Sequence, residues 1–147
     1  MQVLYRWFTA LLFAAVAVQV GLAGYGIFNA VHEVDDKGSI TKKSFEDGFN
    51  VHAALGTIIV VAMLVLFVAS AAGRLGQAKL KWTGGLFALG ILQMLFAGIG
   101  SSVPALGFLH PVNALAIFAV SGVMAHRAWV VERRTVGEPE PLGVPAA

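Results

Sequence analysis

Four long apolar runs dominate this chain and leave little sequence outside them. They cover residues 7–31, 49–72, 82–100 and 103–131, and polar residues or Gly and Pro separate them. A hydrocarbon core about 30 Å thick needs about 20 apolar residues per helix, so each run is long enough to cross a bilayer. We therefore predict an all-α, integral membrane, antiparallel four-helix bundle over residues 1–134.

Composition excludes several other classes of protein. Of the 147 residues 58% are hydrophobic and 12% are charged, whereas a soluble domain is about half apolar and about a quarter charged. The chain contains no cysteine, which excludes disulfides, thiolate metal sites, iron–sulfur clusters and covalent c-type haem attachment. Any metal or cofactor would therefore be held by His, Met, carboxylate or backbone groups.

The distribution of Lys and Arg predicts the orientation of the bundle in the cell membrane. Short cytoplasmic loops are enriched in these residues, and one side of the predicted bundle has seven of them whereas the other has three. The first set is Arg6, Arg74, Lys79, Lys81, Arg127, Arg133 and Arg134, and the second is Lys37, Lys42 and Lys43. Both termini are thus expected in the cytoplasm, with a first outer loop at about residues 32–50.

The same distribution bears on partners. The cations are scattered at the ends of the apolar runs rather than gathered into one patch, which excludes nucleic acid as a partner. The expected partner is the lipid bilayer, and a second copy of the chain remains an open alternative. Residues 135–147 are rich in Pro and Glu and are expected to form a disordered cytoplasmic tail.

An internal repeat relates the two halves of the chain. The segment QVGLAGYG, which begins at Gln19, matches QMLFAGIG, which begins at Gln93, at four of eight positions. Both segments lie in helices that run in the same direction, so we predict a two-helix pseudo-repeat about an axis along the membrane normal. Gly26 and Gly100 are the last residues of the matching segments and lie on equivalent faces of the two helices. Small residues on such a face either line a groove or let helices approach closely.

Two histidines follow the same repeat. His52 lies near the outer end of the second predicted helix, and His110 lies at a similar level of the fourth. A small residue follows each of them one turn inward, Gly56 after His52 and Ala114 after His110. The helical period continues these two faces inward through Ile59 and Met63 and through Ile117 and Ser121. Ionisable residues inside membrane spans are costly and are functional candidates, whereas an isolated histidine at such a level is more often a hydrogen-bonding group.

The matched histidines predict a haem site. The second and fourth helices of an antiparallel bundle are diagonal, so the two imidazoles would face each other across the core. A flat, apolar space lined by Gly26, Gly56, Gly100 and Ala114 and closed by two imidazoles suits haem b, or a related haem, with His52 and His110 as iron ligands. Zinc would need further ligands at the same level. His32 and His126 are expected to be solvated or interfacial, and Gln19 and Gln93 to form hydrogen bonds between helices.

The four spans with one histidine each on the second and fourth resemble one half of haem A synthase. The matching residues are Leu92-Gln93, Gly98 and Gly100, and Leu109-His110. The resemblance implies an antiparallel bundle that binds haem through His52 and His110. The segment from Leu109 to Ala114 also resembles that of small four-span bacterial membrane proteins, for which the resemblance implies no activity.

The chain departs from that family where catalysis is concerned. The synthase typically has Glu three residues before the second-helix histidine and Arg just after it, and this chain has Phe49 and Ala53 at those positions. We therefore expect a b-type cytochrome that exchanges electrons with a quinone or a redox protein. Two alternatives stay open: a haem-modifying enzyme that uses Glu46 or Asp47, and a cofactor-free membrane subunit or small transporter.

Overall fold

The computed structural model describes the backbone of residues 1–137 and the side chains of residues 1–130. Within that part of the chain all regular structure is helical, as predicted. The elements are α1 (Gln2–Lys37), α2 (Lys42–Ala72), α3 (Gln77–Ser102), the short α4 (Pro104–Gly107) and α5 (Leu109–Gly137). The start of the predicted tail, residues 135–137, belongs to α5, and residues 138–147 lie outside the described residues.

The helices have the length and surface of membrane spans. Four stretches are long and apolar enough to cross a bilayer: α1, α2, α3 and Pro104–Val130. Large apolar side chains are exposed on their outer faces, including Phe28, of which 76% is exposed, and Leu115, of which 69% is exposed. Such a surface is unfavourable in water and favourable in hydrocarbon. The four helices therefore indicate a membrane protein.

The long helices pack as a ring of four neighbours. α1 packs against α2 and α5, and α3 packs against the same two helices. α2 and α5 are consequently diagonal partners, which is the arrangement that the sequence predicts for the two helices with His52 and His110. The connections at residues 38–41 and 103–108 lie at one end of the bundle, which we call the His end. Met1 and the turn before α3 lie at the other, which we call the Met1 end.

The core runs along the bundle axis below the two histidines. Ile59 and Met63 on α2, and Ile117 and Ser121 on α5, are all buried. The 3.6-residue helical period places these residues on the same faces as His52 and His110, as predicted.

The repeat that relates α1 to α3 is also visible in their buried residues. Thr9 on α1 and Thr83 on α3 have the same separation in sequence as Gln19 and Gln93, and each is only 1% exposed. Leu12 and Leu86 form another such pair, and both are buried. The two halves therefore bury equivalent positions well beyond the segments in which the sequence match is visible.

The first connection is much shorter than the predicted loop at residues 32–50. α1 continues to Lys37, and α2 already begins at Lys42. Charged pairs four residues apart stabilise these polar turns. The three pairs join Lys37 to Glu33 at 2.7 Å, Lys42 to Glu46 at 3.6 Å and Lys43 to Asp47 at 4.0 Å. The hydropathy pattern marks where the apolar part of a helix ends, and here the helix itself continues.

The second connection also differs from the sequence prediction. The fourth apolar run starts at residue 103, but α5 starts at Leu109, after the short α4 and Phe108. Pro111 thus lies in the first turn of α5, where its missing N–H leaves no helical hydrogen bond unmade. The helical structure is therefore interrupted before His110, and Pro111 does not kink a continuous helix.

Candidate functional site

The structure brings the two predicted ligand histidines together at the His end. The ring centroids of His52 and His110 lie 6.3 Å apart, and the ring planes make an angle of 61°. Each imidazole is partly buried, and the rings come from the diagonal helices α2 and α5. The sequence prediction that they face each other across the core is confirmed in this respect.

Each histidine is held by the backbone of the preceding helix in the same half. Nδ1 of His52 lies 3.2 Å from the carbonyl oxygen of Gln19, and Nδ1 of His110 lies 3.2 Å from that of Gln93. A carbonyl oxygen can only accept, so Nδ1 is the protonated nitrogen in both rings. Nε2 is therefore the nitrogen that carries the lone pair in each ring. Metal-binding histidines are commonly oriented by such a bond from the other ring nitrogen.

The side-chain amides of the two repeated glutamines have different partners. Gln19 Nε2 donates to the backbone oxygen of His52 at 2.7 Å. Gln93 Nε2 lies 3.1 Å from Nε2 of His110 and donates to its lone pair. Both amides thus form hydrogen bonds between helices, as the sequence predicts. In the second half, however, the amide is hydrogen-bonded to Nε2 of His110, which is the nitrogen that would bind iron under the haem hypothesis.

Asn113 is a site residue that the sequence reasoning missed. Its Nδ2 donates to the backbone oxygen of Leu89 at 2.9 Å and to Oε1 of Gln93 at 2.7 Å. The side chain is buried, with 7% of the residue exposed. A polar amide inside an apolar run, one turn after His110, is the signal that could have identified it.

The first half has no equivalent of that hydrogen bond. Oε1 of Gln19 is buried and has no hydrogen-bond partner. The repeat aligns Asn113 with Leu55, whose side chain cannot donate. The environments of His52 and His110 are therefore alike in the Nδ1 contact and different in the side chains around it.

The three glycines predicted to line a cofactor are in close contact with protein atoms. A Cβ atom at Gly26 would lie 2.8 Å from the ring of Phe49, and one at Gly56 would lie 2.8 Å from Nε2 of Gln19. A Cβ atom at Gly100 would lie 2.7 Å from Cα of Gly107. All three positions thus permit close packing at the His end. Ala114, the fourth predicted lining residue, is partly buried.

The other two described histidines lie away from the pair. His32 is exposed, and its Nε2 is 3.5 Å from a carboxylate oxygen of Asp36. His126 is exposed near the Met1 end of α5. Among residues 1–130, no three His, Cys, Asp or Glu side chains form a group that could hold a metal ion.

The acidic residues considered for catalysis are on the surface. Glu46 and Asp47 have side chains that are 58% and 60% exposed, and they pair with Lys42 and Lys43. Asp47 also accepts a 3.3 Å hydrogen bond from Asn50. Neither carboxylate has a hydrogen bond with His52 or His110 in the described part of the chain.

No family model, curated protein or solved structure matches this chain. The function of the protein is therefore inferred from the geometry of the site.

Proposed function

We propose that this protein is a b-type membrane cytochrome in which His52 and His110 ligate one haem b at the His end. The haem would supply one-electron redox chemistry, and the exchange partner would be a quinone or a redox protein. Both termini would be cytoplasmic, because the cations of the Met1 end follow the positive-inside rule. The haem would then lie near the outer face of the cell membrane.

The separation of the two imidazoles is the main support for the proposal. Two imidazoles that bind one metal ion through Nε2, each with a bond of about 2.0 Å, can have ring centroids about 6 Å apart. The rings of His52 and His110 are 6.3 Å apart. They also come from the diagonal helices α2 and α5, whose side chains can approach each other across the core of a four-helix bundle.

The backbone carbonyls of Gln19 and Gln93 give the site its second support. By accepting a hydrogen bond from Nδ1–H, they hold each imidazole in the tautomer in which Nε2 can bind a metal. They also limit ring rotation, because a turned ring would lose the hydrogen bond. The Nδ1 contact is the same in both halves of the repeat, which supports the same role for the two rings.

Haem binding requires three side chains to move. Gln93 would release Nε2 of His110, its present acceptor at 3.1 Å. Phe49 would leave the face of Gly26, against which its ring packs. The amide of Gln19 would leave the face of Gly56 in the same way.

Absorption spectra of the purified protein test the proposal. Haem-replete membranes should yield a protein with a sharp low-spin b-type spectrum after dithionite reduction, and pyridine extraction should identify haem b. His52→Ala and His110→Ala should each abolish the low-spin signal. His32→Ala and His126→Ala are the matched controls and should leave it intact. A normal spectrum in both ligand variants would refute the assignment.

A cofactor-free membrane subunit is the second candidate, and one observation favours it. The side chains of Gln93, His110 and Asn113 form a hydrogen-bond network with one another, which includes Nε2 of His110. A protein that is purified colourless, folds normally and cannot be reconstituted with haem would support this function. We do not extend the proposal to haem modification, because Glu46 and Asp47 are exposed and paired with lysines.

A further inference from the structure

A cleft lies between α3 and α5 in the half of the bundle nearest the Met1 end. Its volume is about 430 Å³, within the range of about 300–1,000 Å³ that is usual for ligand pockets. Its lining is almost wholly apolar and consists of Lys81, Trp82, Gly85, Leu86, Leu89 and Val120. Gly85 helps to form the cleft, since a Cβ atom there would have no neighbour within 4 Å.

Positive charge is concentrated where the cleft reaches the Met1 end. Lys81 belongs to the lining itself. The guanidinium carbon of Arg127 lies 4.9 Å from the centre of the Trp82 ring, which forms another part of the wall. A cation over an aromatic ring keeps its charge and remains able to attract an anion.

No carboxylate among the described side chains offsets this charge. The acidic residues within residues 1–130 are Glu33, Asp35, Asp36, Glu46 and Asp47. All of them lie at the ends of α1 and α2 that join at the first connection, which is the opposite end of the bundle. The mouth of the cleft is therefore an apolar slot with two cations and no anionic partner in that part of the chain.

We propose that this cleft binds an anionic phospholipid, with an acyl chain against Gly85, Leu86 and Leu89 and the phosphate between Lys81 and Arg127. Apolar area alone would accept any lipid chain. The two cations favour an anionic headgroup, because basic residues near a membrane surface attract anionic lipids. Trp82 marks the level at which the headgroup meets the chain. This inference is independent of haem binding.

Quenching of Trp82 by brominated lipid provides the test. Trp7 and Trp129 are replaced by Phe, so that Trp82 is the sole tryptophan and can be excited selectively, and circular dichroism checks that the helices remain. The protein is placed in phosphatidylcholine vesicles that contain one fifth phosphatidylglycerol. The acyl chains of only one lipid class are brominated in each sample. Brominated phosphatidylglycerol should quench Trp82 several-fold more strongly than its share of the lipid predicts, and added salt should weaken that preference.

Two variants separate the charge from the cleft. Lys81→Gln combined with Arg127→Gln should remove the preference for the anionic lipid, whereas Arg74→Gln, at the same end but outside the cleft, should retain it. Gly85→Leu should fill the slot and lower quenching by both lipids. Quenching in proportion to lipid composition would overturn the proposal. A preference that persists without Lys81 and Arg127 would also overturn it.

Discussion

The side-chain amide of Asn113 donates a 2.7 Å hydrogen bond to Oε1 of Gln93, one turn from the His110 ring. The same amide group also reaches the backbone oxygen of Leu89. The interior of a membrane contains no water that could form hydrogen bonds with a polar side chain. These two bonds therefore fix the position of α5 against α3. Through Gln93 they also fix the amide that binds Nε2 of His110.

Replacement of Asn113 by Leu, the residue at the equivalent position 55, should therefore destabilise the protein. The variant leaves Oε1 of Gln93 without its donor, and we expect a loss of about 1–2 kcal/mol in the free energy of unfolding. This change is measured by unfolding the purified protein in a series of increasing concentrations of a denaturing detergent. Asn50→Leu, the same exchange at an exposed position of α2, is the matched control. An unchanged unfolding midpoint in Asn113→Leu would show that the network contributes nothing to stability.

The sequence was sufficient for the architecture because hydropathy reports helix length and helical periodicity reports the buried face. Both signals are strong in this chain, and they correctly placed Ile59 and Met63 below His52 on the core side of α2. The repeat was also visible, because Gln19 and Gln93 stand in matching segments. Together these features predicted that His52 and His110 come close.

Other features of the site depend on contacts between helices that no local pattern encodes. Gln93 reaches the ring of His110 whereas Gln19 reaches a backbone oxygen, although the two glutamines are equivalent in the repeat. The difference accompanies Asn113, whose partner Leu89 lies on another helix. The length of the first connection was missed for a different reason, because charged pairs extend α1 and α2 where hydropathy has already fallen.

Gly100 and Gly107 provide a prediction about helix packing at the His end. Gly100→Ala would place its Cβ 2.7 Å from the backbone of Gly107, which cannot rotate away. We expect a loss of about 1–3 kcal/mol in stability, measured in the same detergent series. Gly98→Ala is the matched control on the same helix, because its Cβ would have no neighbour within 4 Å. The control should be neutral or slightly stabilising, and equal effects of the two substitutions would contradict the packing described.

Thr41 begins α2 and gives a prediction outside the apolar part of the bundle. Its Oγ1 accepts a 3.0 Å hydrogen bond from the backbone N–H of Ser44. Thr41→Ala should weaken the first turn of α2 by about 1 kcal/mol, and Thr41→Ser should retain most of the cap. Amide hydrogen exchange of residues 44–46 should accelerate about fivefold in the alanine variant while the global unfolding midpoint changes little. Identical exchange in both variants would show that the hydroxyl does not cap the helix.

Gly26 and Phe49 allow packing and haem lining to be distinguished. Gly26→Ala would bring a Cβ within 2.8 Å of the Phe49 ring, a flexible neighbour, so we expect a loss of about 1 kcal/mol in stability. Adding Phe49→Leu should restore stability, and a double-mutant cycle measures that coupling. Haem content of the same four proteins adds a second readout. If Gly26 lines the haem, as the sequence predicts, haem content should stay low in the double variant although its stability recovers. Recovery of both quantities would mean that Gly26 serves only to accommodate Phe49.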